Sequence, residues 1–183
     1  RAIIEHLNER RSFVTFYFRN RQVMSEGMYL DQKRDSLWIN YNRQGYRVSM
    51  EKYRDGKLNG KKAMFYIQNQ IDRGELKVLS ETVYSDSLKS GPYLEYFSSG
   101  IVKKRGAFHN DYAVGIWTDF DVKGLPIRSC KYKNGNKHGW VYRYNLDSEM
   151  VATSLYRKGQ LMNGKAKEQY LKECELQGID PND

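Results

Sequence analysis

Aromatic, small and polar positions recur along the chain with a period near 24 residues. Taking Ser12, Ser36, Gly60, Gly91, Gly115 and Gly139 as unit starts, the spacings are 24, 24, 31, 24 and 24, and Gly164 follows 25 residues later. Five residues into each unit stands an aromatic: Tyr17, Tyr41, Phe65, Tyr96, Phe120 and Tyr144. Seventeen residues in stands another: Tyr29, Tyr53, Phe108, Tyr132 and Tyr156, with Tyr84 taking this place in the third unit after an insertion of seven residues. Self-similarity at a fixed period is the mark of a repeat architecture. At the head of each unit, positions one, three and five share a face, because side chains alternate along a strand. These are Pro92/Leu94/Tyr96, Ile116/Thr118/Phe120 and Trp140/Tyr142/Tyr144. Position two points the other way and carries Val14, Trp38, Tyr93, Trp117 and Val141, with Lys62 as the exception; position four is polar in Asn40, Glu95, Asp119 and Arg143. The pattern predicts one broadly apolar face, and on the other an outer row of large side chains in a polar field. The second strand of each unit alternates less cleanly, which predicts a bulge there.

Turn chemistry separates the strands. Nine residues into a unit stand Gly45, Gly100, Gly124 and Ser148, and Gly56, Gly135 and Gly159 follow the second aromatic by three. Asp55-Gly56 and Asn134-Gly135 supply the positive φ of two-residue hairpin turns. Each unit therefore reads as strand, turn, strand, turn, and the chain as an antiparallel meander of about twelve strands. The fold expected is all-β: an elongated single-layer sheet of about six tandem hairpins over residues 12–163, with an insertion at 67–83. Residues 1–11 form a cap or lead-in, as a short helix or an opening edge strand. Residues 164–183 form a C-terminal cap. Its stretch 165–176 is rich in helix formers, and Gly178 is placed to stop the helix.

Composition agrees with a thin sheet. Only 39% of the 183 residues are hydrophobic, against the ~45–50% of ordinary globular domains, yet 14% are aromatic. No run approaches the ~18 apolar residues of a membrane-spanning helix. Cys130 and Cys174 belong to no metal-binding cluster; they can form one bridge or stand as two free thiols. The chain opens at Arg1 with no initiator Met and no apolar signal region. A mature chain after removal of an export signal begins this way, as does a domain of a longer protein. The expectation is an exported protein, periplasmic or outer-membrane associated, with the cytoplasm as the alternative. A net charge of +9, spread over all units, favours an acidic partner without specifying one.

The segments Gly91-Pro-Tyr-Leu-Glu-Tyr-Phe-Ser-Ser-Gly100 and Tyr132-Lys-Asn-Gly-Asn-Lys-His-Gly-Trp-Val-Tyr-Arg-Tyr144 resemble MORN-type repeats. They are most similar to the bacterial variant in proteins labelled YwqK-family antitoxins. The likeness is good from Gly91 to Gly164, fair from Ser12 to Gly60 and poor across residues 67–83. The Gly-x-Gly of the commoner MORN unit is largely missing, and Ser12 and Ser36 replace glycine. The resemblance implies stacked hairpins, a holding role, and an association with phospholipid.

The two aromatic columns are expected to be structural, since stacked rings contribute about 0.5–1.5 kcal/mol per pair beyond area burial. Trp38, Tyr93 and Trp117 of the outer row are candidates for partner contact, because aromatic anchors dominate interfaces. Catalysis is not expected. His6, His109 and His138 lie in different units, His109 and His138 beside turns where exposure is expected. No nucleophile elbow, phosphate loop or metal spacing occurs, and no metal or cofactor is expected. Carboxylates such as Glu95 and Asp119 occupy equivalent positions of adjacent units and could face each other across strands, but a solvated polar face is the expectation. The function expected is a non-catalytic binding or scaffold module that presents an extended sheet face to a protein partner in the bacterial envelope. The alternatives are a binder of anionic lipid or another polyanion, and an antitoxin or immunity protein. Nucleic acid is not expected as a partner, and the oligomeric state is open.

Overall fold

The computed structural model describes residues 1–145 and 149–183, and Ser148 lies outside them. The described residues form one antiparallel sheet of 14 strands whose spatial order is the chain order. An edge strand, β1 (Ala2–His6), opens it. Six two-strand units follow: β2 (Arg11–Tyr17) with β3 (Val23–Leu30), β4 (Lys33–Tyr41) with β5 (Arg47–Arg54), and β6 (Lys57–Phe65) with β7 (Val78–Ser85). The next three are β8 (Leu88–Tyr96) with β9 (Val102–His109), β10 (Tyr112–Phe120) with β11 (Pro126–Lys133), and β12 (Asn136–Tyr144) with β13 (Met150–Arg157). A short β14 (Gln160–Met162) closes the sheet. Residues 1–11 thus hold an edge strand and no helix, and the sheet has two strands more than the twelve counted from the repeat.

Successive units are joined by two-residue turns in which both central residues have positive φ. Asp55, Asn134 and Lys158 (φ 51°, 50° and 50°) precede Gly56, Gly135 and Gly159 (81°, 79° and 85°). Three further turns use no glycine: Asp31-Gln32 (48°, 62°), Asp86-Ser87 (48°, 71°) and Asn110-Asp111 (47°, 67°). Positive φ at both positions gives the hairpin twist that matches twisted strands. The glycines that start units are not in these turns. Gly60, Gly91, Gly115 and Gly139 sit within strands at φ 111°, 137°, 66° and 75°, and Gly60, Gly91 and Gly115 pair directly with Tyr84, Phe108 and Tyr132. Register shifts occur in both strands of a unit, as between Asn40 and Tyr41 and between Gly27 and Met28. The expected bulge in the second strand therefore has a companion in the first.

The insertion holds a helix, α1 (Ile67–Arg73), ended by Gly74 at φ 66°. It replaces a tight loop and straps the neighbouring units. Gln70 accepts a hydrogen bond from the Arg47 N–H (2.9 Å) and donates to its carbonyl (2.8 Å), while the Tyr66 hydroxyl donates to the Tyr96 carbonyl (2.7 Å). The C-terminal helix, α2 (Gly164–Gln177), stops at Gly178 in the left-handed conformation (φ 63°). It packs Tyr170 and Cys174 on Leu155, which is 1% exposed, with Trp140, Met162 and Leu171 around them. The chain then returns along the sheet: Asn182 accepts from the Trp140 N–H (2.9 Å) and Asp183 pairs with Lys131 (2.8 Å). Cys130 and Cys174 are both buried free thiols.

Gln32 holds a left-handed conformation that glycine adopts without strain, a conformation costing roughly 1–2 kcal/mol for other residues. Replacing Gln32 with Gly is expected to raise unfolding stability by up to about 1 kcal/mol once the added freedom of the unfolded chain is discounted. Urea unfolding checks this; a lower midpoint would show that the turn is not strained.

Candidate interaction surfaces

Register assigns each side chain to one of two faces. A first row crosses the sheet through Val14, Gly27, Trp38, Glu51 and Lys62, and continues through Thr82, Tyr93 and Gly106. Trp117, Cys130 and Val141 extend it. Aromatics seventeen residues into a unit lie on the same face, here face A, because they pair with unit-start residues two positions from this row. Those five residues in lie on face B with the position-one and position-three residues. There the Tyr41 hydroxyl donates to Glu26 (2.7 Å), the Tyr96 hydroxyl donates to Glu81 (3.1 Å), and Tyr144 and Ser129 share a 3.3 Å bond. Tyr17 pairs with Val23 and Phe65 with Val78 at the same edge.

Face A carries two indole clusters 79 residues apart. Trp38 lies flat over Gly27, where a Cβ would fall 2.5 Å from the ring. Phe16, Tyr29 and Tyr53 surround it with centroids at 6.2, 5.2 and 6.4 Å, and the Arg34 guanidinium closes over it at 4.2 Å. Its Nε1 donates to the Met28 carbonyl (3.0 Å). In the second cluster Trp117 lies over Gly106, with Tyr93 stacked at 5.4 Å and Phe108 and Tyr132 edge-on at 5.0 and 5.9 Å. Its Nε1 is buried and unpartnered among the described residues. Trp38 is 0% exposed, so it offers no surface to a partner, and its expected role as a contact is corrected. Position two is not an outer row: it shares its face with the seventeenth-position rings and packs among them. Tyr93 and Trp117 are half-buried. Burial first, then the Glu95 charge and the bond to it, pushes the Tyr93 hydroxyl up to about 12.

Between the clusters face A is polar and satisfied. Glu51 receives Lys62 (2.8 Å), the Tyr53 hydroxyl (2.9 Å) and the Ser49 hydroxyl (3.2 Å), and Asn40 donates to Ser49 (2.9 Å). The lysine that interrupts the position-two row is therefore the direct cross-strand partner of Glu51. Burial pushes the Glu51 carboxyl up, but the Lys62, Tyr53 and Ser49 bonds outweigh it and leave the group below the usual carboxylate value. Glu95 and Asp119 do not face each other. Lys104 stands between them in register, Lys103 pairs with Glu95 (2.7 Å), and Lys104 pairs with Asp119 (3.2 Å).

His109 is exposed, but His138 is 8% exposed, contrary to the exposure expected for a turn-side histidine. Burial, followed by the charges of Lys133, Lys131 and Arg157, lowers its pKa from the ordinary histidine value. Among the described residues no group of three or more His, Cys, Asp and Glu side chains is placed to hold a metal ion.

Face B has a repeating apolar position. Leu37, Pro92, Ile116 and Trp140 are position-one residues of their units, and Trp140 pairs with Leu155. Leu37 and Ile116 are 45% and 67% exposed, whereas Leu155 is sealed under α2. Lys167 covers the Trp140 ring at 4.7 Å and Arg157 covers Tyr170 at 4.6 Å.

No family model matches the chain, and no curated protein does. A solved structure of a mutant of S. aureus TarM in complex with fondaparinux, α-GlcNAc-glycerol and UDP is similar over 62% of this chain, with a TM-score of 0.38 and 16% identity. The chain spans 21% of the length of that structure's chain.

Two measurements test the face-A core. Gly27→Ala forces a methyl into the Trp38 ring, and overpacking of this kind costs about 1–3 kcal/mol. The cost should shrink in a Trp38→Leu background; an equal loss in both would show that the indole does not set the spacing. Because its folded pKa is depressed, Glu51 contributes stability above the ordinary value of 4.5 that is lost as pH falls through its folded value. Urea midpoints of Glu51→Gln should therefore fall less steeply than those of the parent chain as pH drops from 6 to about 3. Parallel slopes would remove Glu51 from the acid response.

Proposed function

We propose that the chain is a non-catalytic binding module that presents face B to a protein partner in the bacterial cell envelope. The observation that supports this is the recurrence, on β4 and β10, of the apolar position that Trp140 occupies in the last unit, where it packs beside Leu155 under α2. A helix burying Tyr170 and Cys174 seals the last station, while Leu37 and Ile116 stay open to solvent. Apolar side chains recurring along an uncovered sheet face fit an extended contact, and they give an occupant several equivalent points of attachment. The half-buried Tyr93 and Trp117 on face A are retained as secondary candidates for contact. Binding of anionic lipid and neutralisation of a toxin are the competing readings, the first drawing on the dispersed positive charge.

The test is comparative capture from an envelope extract with the parent chain, Ile116→Asp and the Leu37→Asp/Ile116→Asp double variant. Surface substitutions of this kind shift stability by about 0.5 kcal/mol or less, so folding should be preserved. A protein held by the parent and lost at least tenfold by the double variant is the expected result. Equal capture by all three, or recruitment by phosphatidylglycerol vesicles that Ile116→Asp leaves unchanged, would overturn the reading.

A further inference from the structure

The row next to the indoles on face A runs through Glu95 on β8, Lys104 on β9, Asp119 on β10, Arg128 on β11, Arg143 on β12 and Val151 on β13. Charges alternate along it until β12. There Arg143 stands directly opposite Arg128, a like-charge pairing that destabilises antiparallel strands. The one neighbouring carboxylate is already shared: Asp119 holds Lys104 at 3.2 Å and lies 3.9 Å from Arg128. Arg143 has no carboxylate partner among the described residues. These groups line a groove of about 550 Å³ in which Lys103, Lys104, Arg128 and Arg143 face only Glu95 and Asp119, with Phe97 and Ile127 supplying apolar wall. Ile127 and Val151, beside the arginines, are 48% and 53% exposed.

We infer that this groove binds an acidic, partly apolar segment of a protein, with a carboxylate seated between Arg128 and Arg143. Every other cation in the row is matched by a carboxylate of the chain, so a carboxylate continues the pattern the sheet itself uses. The planar guanidinium takes carboxylates through two parallel hydrogen bonds, and two of them side by side fix an acidic side chain's position. The apolar wall next to them favours a segment that alternates acidic with apolar residues over a bare anion. The groove is on the opposite face from Leu37 and Ile116. Its ligand is therefore distinct from whatever covers face B, and the two are tested separately.

The probe is an eight-residue peptide alternating Glu with Leu and Ser, titrated into the ¹⁵N-labelled full chain beside its Gln counterpart. The Glu peptide should move the Nε–H signals of Arg128 and Arg143, and the Gln peptide should bind at least tenfold more weakly. Arg143→Gln should weaken the Glu peptide at least tenfold while its thermal midpoint stays level or rises, because removing one of two facing like charges relieves repulsion. Ile116→Asp should leave peptide affinity unchanged. Equal binding of the two peptides, undiminished binding by Arg143→Gln, or loss on Ile116→Asp would overturn the assignment. So would inorganic phosphate or phosphatidylglycerol vesicles moving the arginine signals at lower concentration than the peptide. Equal capture by the parent chain and the face-B variants, with peptide binding retained, would sink only the function proposed above.

Discussion

A sheet one layer thick has no second layer to bury its side chains against, and it must make a core from what stands on its own surface. Here the solution is an indole laid flat on a glycine of the neighbouring strand. Without a Cβ at Gly27 or Gly106 the ring drops to the backbone, and rings from adjacent strands then close around it edge-on. The hydrophobic effect is thus satisfied locally, cluster by cluster, in a chain with too few aliphatic residues for a continuous core. Other features follow from this packing. The polar zone at Glu51 and Lys62 lies between the clusters, where no indole is available and ion pairing takes over. The helix α2 supplies a second layer only at the end of the sheet, over Leu155.

Much of this architecture was legible in the 24-residue period. Side-chain alternation separates the two faces, Gly56, Gly135 and Gly159 locate three of the connecting turns, and Gly178 marks the end of α2. The turns at Asp31-Gln32, Asp86-Ser87 and Asn110-Asp111 carry no glycine to mark them in the sequence, although all three begin with Asp or Asn, residues that tolerate the left-handed region. The helix α1 was hidden inside an insertion with no counterpart in other units.

The candidate site was read less well than the fold, and the reason is specific. The sequence pattern places face A outside because Asn40, Glu95 and Asp119 flank its large residues. Those polar groups are instead bonded across strands, Asn40 to Ser49, Glu95 to Lys103 and Asp119 to Lys104, so polarity at position four does not mean exposure at position two. The missing signal was the small residue. Gly27 and Gly106 each precede a tryptophan by 11 residues, and that pairing distinguishes a ring with a bed from a ring on a surface. The facing arginines were equally invisible, since Arg128 and Arg143 meet only once bulges have set the register of β11 on β12.

Because spatial order equals chain order throughout, each strand bonds only to its immediate neighbours in sequence. Such a sheet behaves as a zipper under tension. Its first strand is held along one side only, so force applied there detaches hairpins one after another, each step breaking a single ladder. The far end resists differently: α2 and the returning tail clasp β11 to β13 together, so those strands yield as a block. The molecule is therefore mechanically polar, compliant at one terminus and locked at the other.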